Sequence, residues 1–170
     1  MHTPERIVSE LEIAMLPEHG PVPVDAMVRT VYDASQPTVR SRILNVLVGH
    51  AYAASPPPLR QSLLELLIRS VGVLGLVTIA GGVFARIRLR GAWPDIAVSF
   101  DDLQYIRIVD VMALADYVQR VSIGSISDAT QLLASHPALA GSGAVAALVS
   151  IMLRRVSDRV EGSAATAQTA

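Results

Sequence analysis

The stretch PPPLRQSLLELLIRSVGVLGLVTIAGGVFARIRLR, Pro56 to Arg90, decides how the rest of the chain is read. It opens on three prolines, continues through Leu59, Leu63, Leu64, Leu66, Leu67 and Ile68, and then carries no charge from Ser70 to Ala85. A helical segment that is apolar on every side is either the buried centre of a domain or a membrane span. Ala138 to Leu153 is a second uncharged run, and both runs are shorter than the ~20 residues a spanning helix needs. Both also end in arginine: Arg86, Arg88 and Arg90 after the first, Arg154 and Arg155 after the second. An antiparallel hairpin in lipid would then carry basic residues on both sides, against the positive-inside bias. Core helices are the expectation. The fold expected is all-α, a single bundle of about six or seven helices around the central apolar helix, spanning 1–161. Residues 162–170 are small and polar and are expected to form a disordered tail.

Composition supports helices packed on helices. Apolar residues make up 51% of the 170 residues while Phe, Trp and Tyr make up 4%, so the core must be built from Leu, Val, Ile and Ala. Every basic residue is Arg, which removes Schiff-base lysines and a phosphate-loop lysine. The absence of Cys removes disulfides, thiolate metal sites and Cys nucleophiles. A net charge of −1 supplies no general field toward nucleic acid or anionic lipid. Glu5, Glu10 and Glu12 interrupt the first apolar residues in a way unlike a signal peptide, so a cytoplasmic protein is expected, with membrane association as the alternative.

Working outward from the central stretch, Thr3 and Pro4 start a helix with Ile7, Val8, Leu11, Ala14 and Met15 on one face. Pro17 to Pro23 is a connection, and Val24, Met27, Val28, Val31 and Tyr32 form the apolar side of a second helix. Ser35 to Thr38 signals a third, with Val39, Ile43, Val46, Leu47 and Ala51 inward; Ser55 and Pro56 signal the next. Ser99 with Asp102 forms a capping box for a helix whose buried stripe would be Leu103, Ile106, Val109, Ala113, Leu114, Tyr117, Val118 and Val121, ended by Gly124. Ser125 starts a short helix to Ser135, and the last helix runs from about Ala138 to Val160.

The run Ser35-Gln36-Pro37-Thr38-Val39-Arg40-Ser41-Arg42 resembles the start of the recognition helix in bacterial helix-turn-helix regulators. That resemblance implies DNA contacts from Gln36, Thr38, Arg40 and Arg42 in the major groove. The same residues also make a good cap and first turn, and this plainer reading is placed first.

Gly72, Gly75, Gly81 and Gly82 each cost ~1 kcal/mol relative to Ala inside a helix. They are expected to permit close helix packing or, at Gly81 and Gly82, a break. From Val83 to Phe100 the apolar residues alternate, so a short β-hairpin over 83–100 is the alternative to a continuing helix; it would align Arg86, Arg88 and Arg90 as a basic patch.

No catalytic constellation emerges. His2, His19, His50 and His136 lie far apart, Gly141-Ser142-Gly143 follows no strand, and no phosphate loop is present. No cofactor and no metal are expected. The expected function is a non-enzymatic scaffold, adaptor or self-assembling protein acting through helix association, with itself or another protein as partner. One alternative is a membrane-associated protein that hides an apolar helical pair, similar in outline to pore-forming colicin domains and Bcl-2-like proteins. Another is a DNA-binding regulator using residues 24–47, although nucleic acid is not the favoured partner.

Overall fold

Prolines set the starts of two helices. Pro37 and Pro57 occupy the first positions of α1 (Pro37–Ala54) and α2 (Pro57–Arg69), where an N–H would have had no intrahelical acceptor. The computed structural model describes residues 28, 30–91 and 95–167. Six further α-helices follow: α3 (Val73–Thr78), α4 (Val83–Arg90), α5 (Phe100–Leu103), α6 (Ile108–Val121), α7 (Ile123–Ala134) and α8 (Gly143–Ala167). Single 3-10 turns at Ala80–Gly82 and Pro137–Leu139 precede α4 and α8. No strand occurs among the described residues, and the helices pack as one all-α bundle. The helix expected over 3–16 and the connection 17–23 lie outside the described residues. Of the helix expected over 24–32, Val28 and Tyr32 are buried as anticipated.

The helix enclosed most completely is α1. Every residue from Ile43 to Gly49 is buried, including Asn45, because α6 and α8 pack on it from two sides. Along the antiparallel α1–α6 pair, Gln119 Nε2 donates to the Ser41 carbonyl at 3.1 Å and Asn45 Nδ2 donates to Asp116 Oδ1 at 3.0 Å. The buried Asn45 side chain is thereby met. Leu59, Leu63, Leu64, Leu67 and Ile68 of α2 complete the centre, as their spacing requires.

One device joins the chain twice, twenty residues apart. Tyr32-x-Ala34-Ser35-x-Pro37-x-Val39-Arg40 and Tyr52-x-Ala54-Ser55-x-Pro57-x-Leu59-Arg60 share a pattern and a geometry. In each, the serine hydroxyl donates back to a carbonyl four residues earlier at 2.6 Å, Val31 in one and Ala51 in the other. In each, the arginine of the new helix reaches back to the end of the old one. Arg40 Nε donates to the Tyr32 and Ser35 carbonyls at 3.0 and 2.8 Å; Arg60 Nε does the same to Tyr52 and Ser55 at 3.0 and 2.8 Å. Their Nη2 atoms reach the Asp33 and Ala53 carbonyls, and each guanidinium also lies over its tyrosine ring, at 5.5 and 5.2 Å. The arginine therefore satisfies carbonyls that a helix end leaves open and sits at the negative pole of the helix dipole. Ser35 and Ser55, expected as N-caps, instead close the preceding helix, and the cap positions fall one residue later at Gln36 and Pro56. Ala134-Ser135-His136-Pro137-Ala138-Leu139 repeats the middle of the pattern with Leu132 and Ala140 at the Tyr and Arg positions, and only a 3-10 turn follows.

The two tyrosines differ in one respect. The Tyr32 hydroxyl accepts from Arg155 Nε and Nη2 at 3.0 and 2.8 Å, whereas the Tyr52 hydroxyl is buried without a hydrogen-bond partner. Burial raises the Tyr52 phenol above its ordinary range, against the opposing pull of Arg60. An unmet buried hydroxyl costs about 1–3 kcal/mol, so Tyr52→Phe is expected to leave stability unchanged or raise it by up to about 1 kcal/mol. Tyr32→Phe should lower it by about 1–2 kcal/mol. Urea unfolding of the two variants checks this, and equal losses at both positions would remove the distinction.

The hairpin alternative over 83–100 is corrected. Val83–Arg90 is a helix, because its core-facing residues are Phe84, Ala85 and Ile87 while Leu89 is exposed, a helical rather than an alternating pattern. Alternation does hold over 95–99, where Ile96 and Val98 are buried between exposed neighbours. That extended segment pairs with helix side chains instead of a strand: Gln61 Nε2 donates to the Val98 carbonyl at 2.7 Å and the Val98 N–H donates to Glu65 Oε1 at 3.0 Å.

The long helix expected from Ser99 is also divided. The Ser99–Asp102 capping box forms as anticipated, but α5 ends at Leu103 and α6 begins after Arg107. Asp110 accepts from the Arg107 backbone and side chain at the new start. The break shifts the buried face to Val111, Leu114, Ala115 and Val118, leaving Val109, Ala113 and Val121 exposed. Gly124 lies inside the first turn of α7 rather than ending a helix. The last helix starts at Gly143, after the turn at Pro137–Leu139, and continues to Ala167, into the stretch expected to be disordered.

Candidate functional site

The apolar run Ser70 to Ala85 does not form one buried helix. Gly81 and Gly82 adopt left-handed φ of +64° and +79°, which breaks the chain there as anticipated, and the residues before them form the short helix α3. Val71, Leu76 and Ile79 are buried, but Val73, Leu74 and Val77 face solvent, Leu74 at 87% exposure. Gly72 and Thr78 are exposed beside them. The result is an apolar surface with no charged residue in its own stretch.

The four glycines singled out play different parts. A Cβ on Gly75 would lie 2.6–2.9 Å from the Tyr117 hydroxyl and ring, so this glycine lets α3 approach α6 within the same chain. A Cβ on Gly72 would meet nothing within 4 Å, so that glycine is not needed for packing. Gly81 and Gly82 serve the turn. A close approach between helices that periodicity did not reveal is at Gly49, whose Cβ would lie 2.7 Å from Met112 Cγ.

A second apolar face runs along α8. Leu153, Val156 and Val160 are exposed at i, i+3 and i+7, on the side of the helix away from buried Ala147 and Ile151. Arg154 is paired with Asp33, Arg155 binds the Tyr32 hydroxyl, and Arg159 is exposed. Beside this face, Ile123, Gly124 and Ser127 of α7 and Met152, Arg155, Val156 and Arg159 of α8 line a shallow cleft.

Arg86, Arg88 and Arg90 do not form a row, because on a helix residues two apart point in different directions. Arg86 is exposed, Arg88 is half-buried, and Arg90 binds Asp102. Of the residues implied by the helix-turn-helix resemblance, Gln36, Thr38 and Arg42 are exposed at the start of α1, while Arg40 is engaged with three carbonyls.

Electrostatics are local and structural. Two hydrogen bonds from Arg90, with further ones from the Ser99 hydroxyl and backbone, hold the Asp102 carboxyl down to about 2 against the effect of partial burial. A folded-state value below the ordinary 3.8 means that this interaction contributes stability above pH 4 and loses it as pH falls toward 2. Asp102→Asn should therefore flatten the acid limb of the stability profile between about pH 4 and pH 2. Thermal melts across that range provide the check, and an unchanged slope would dissociate Asp102 from acid unfolding. At Asp110, burial works to raise the carboxyl, yet the hydrogen bonds from Arg107 keep it below the ordinary value.

Among the described residues no group of three or more His, Cys, Asp or Glu is placed to hold a metal, and no helix is long and apolar enough to cross a membrane. His136 Nδ1 accepts from the Ala138 N–H at 3.3 Å, a turn contact, and His50 is half-buried. Comparison with protein-family models, curated proteins and solved structures gives no match.

Proposed function

We propose that this chain is a non-enzymatic association module whose α3 face joins two copies. The observation that carries the reading is the exposure of Leu74, with Val73 and Val77 beside it, on a stretch that has no charge. Exposed apolar surface of this kind marks interaction sites when it is contiguous. A twofold interface sets the same patch against itself, so an uncharged patch avoids opposing like charges. Gly72 and Thr78, both exposed and small, leave room for a facing helix to approach.

Light scattering on the full chain tests it. The wild type is expected at a multiple of 18.1 kDa, and Leu74→Gln with Val77→Thr should weaken self-association at least about tenfold while circular dichroism stays unchanged. A wild type that remains at the mass of one chain at high micromolar concentration, or a complex indifferent to these substitutions, would reject this reading.

A further inference from the structure

The outer part of α8 is apolar on the side turned away from the bundle. Ala144, Ala147, Leu148 and Ile151 fill the core, and from Leu153 to Ala164 no residue of the helix is buried. About half a turn from that core face, Leu153, Val156 and Val160 stand exposed in line with the half-buried Val149 and with Ser163. These positions are four, three, four and three residues apart, the spacing of a seam between two like helices. We infer that α8 pairs in parallel with α8 of a second copy of this chain along Leu153, Val156 and Val160.

Charge favours a second copy and sets its direction. In a parallel pair, each flank of one seam faces the opposite flank of the other. One flank of α8 carries Arg155 and Arg159 beside the cleft that Ile123 and Met152 also line. The other carries Ser157, Glu161 and Ala164, all exposed, and Arg154, which is held by Asp33. A parallel second copy therefore lays small residues over the cleft and brings its Glu161 toward Arg159, on both sides by symmetry. An antiparallel pair that sets Val156 against Val160 would instead bring the two Arg159 side chains together. Because the core face of α8 lies on its other side, the two bundles sit outward of the seam. A helix that runs beyond its own core gains its stability from packing of this kind.

The lack of cysteine makes the test direct. It is read in full chains that also carry Leu74→Gln and Val77→Thr, so that the α3 face does not contribute. Light scattering at high micromolar concentration should then give the mass of two chains, and adding Val156→Gln with Val160→Gln should return it to one while circular dichroism stays unchanged. Val156→Cys should form an interchain disulfide under mild oxidation at least about tenfold faster than Asp158→Cys, which is exposed on the opposite side of the same helix. Mixed with Val160→Cys chains, Val156→Cys should still pair preferentially with itself. Adding Arg159→Glu should slow the reaction several-fold, and adding Glu161→Arg to that variant should restore part of the rate. Equal rates for the two single-cysteine chains, or the mass of one chain, would overturn the inference, and preferred mixed pairs would overturn the parallel seam. Failure of the α3 reading would show separately, as an assembly indifferent to Leu74→Gln and Val77→Thr.

Discussion

Arg60→Ala is expected to lower stability to unfolding by about 2–4 kcal/mol, more than most single substitutions of a half-exposed residue. The guanidinium donates to three carbonyls at the end of α1 and lies on the Tyr52 ring, so its removal opens three acceptors and one ring face together. Lysine should recover less than half of the loss, because a single ammonium cannot reproduce the planar fork. The loss should also persist at high salt, since the acceptors are carbonyls rather than carboxylates. Arg40→Ala removes the first copy of the device and should behave alike. The two copies sit at opposite ends of α1, an 18-residue helix roughly 25 Å long, so the double variant should lose close to the sum. Urea unfolding followed by circular dichroism measures all four variants. A loss below about 0.5 kcal/mol for Arg60→Ala would reduce the clamp to a surface contact.

Gly49→Leu is the second large expected effect, a loss of at least about 3 kcal/mol or failure to fold. Gly49 is buried where α1 crosses α6, and its missing Cβ is what admits Met112 and Ile108, at 2.7 and 3.1 Å from the atom that would be added. Gly49→Ala is milder: the gain of ~1 kcal/mol in helix propensity offsets the shift forced on the flexible Met112 side chain. Gly72→Leu supplies the contrast, since nothing lies within 4 Å of its added Cβ and the fold should tolerate it. Comparable losses at Gly49 and Gly72 would mean that helix spacing at the α1–α6 crossing is not the controlling factor.

These two results bear on how the site should be probed. Gly75, like Gly49, is occupied by a neighbour of the same chain, so a bulky substitution there would disturb α3 itself before it reported on any partner. Leu74 and Val77 point outward and can be changed with the helix left in place.

The resemblance of Ser35 to Arg42 to a recognition helix has a structural counterpart in the second copy at Ser55 to Arg60. The Pro start and the Arg one turn later recur because both connections close one helix and open the next. The twenty-residue offset was open to inspection in the sequence: Tyr, Ala, Ser, Pro and Arg recur at the same spacing. What it does could be read only when the carbonyls of the preceding helix were in place.

The local elements were legible from neighbouring residues alone. The proline start at 37, the start near Ser55 and Pro56 to within one residue, the Ser99–Asp102 capping box and the glycine break at 81 and 82 all arise from contacts within a few residues, so they survive any tertiary arrangement. Which surfaces are enclosed depends instead on how the helices pack. α1 reads as amphipathic, yet it is buried on both sides because α6 and α8 converge on it; α3 is wholly uncharged, yet Leu74 faces solvent because no described element covers it. Val83 to Arg90 alternates like a strand but folds as a helix, since burying Phe84 and Ile87 together outweighs an alternation that would have exposed Phe84. Periodicity ranks the faces of one element; burial depends on which other elements arrive, and that is set by the packing of the whole chain.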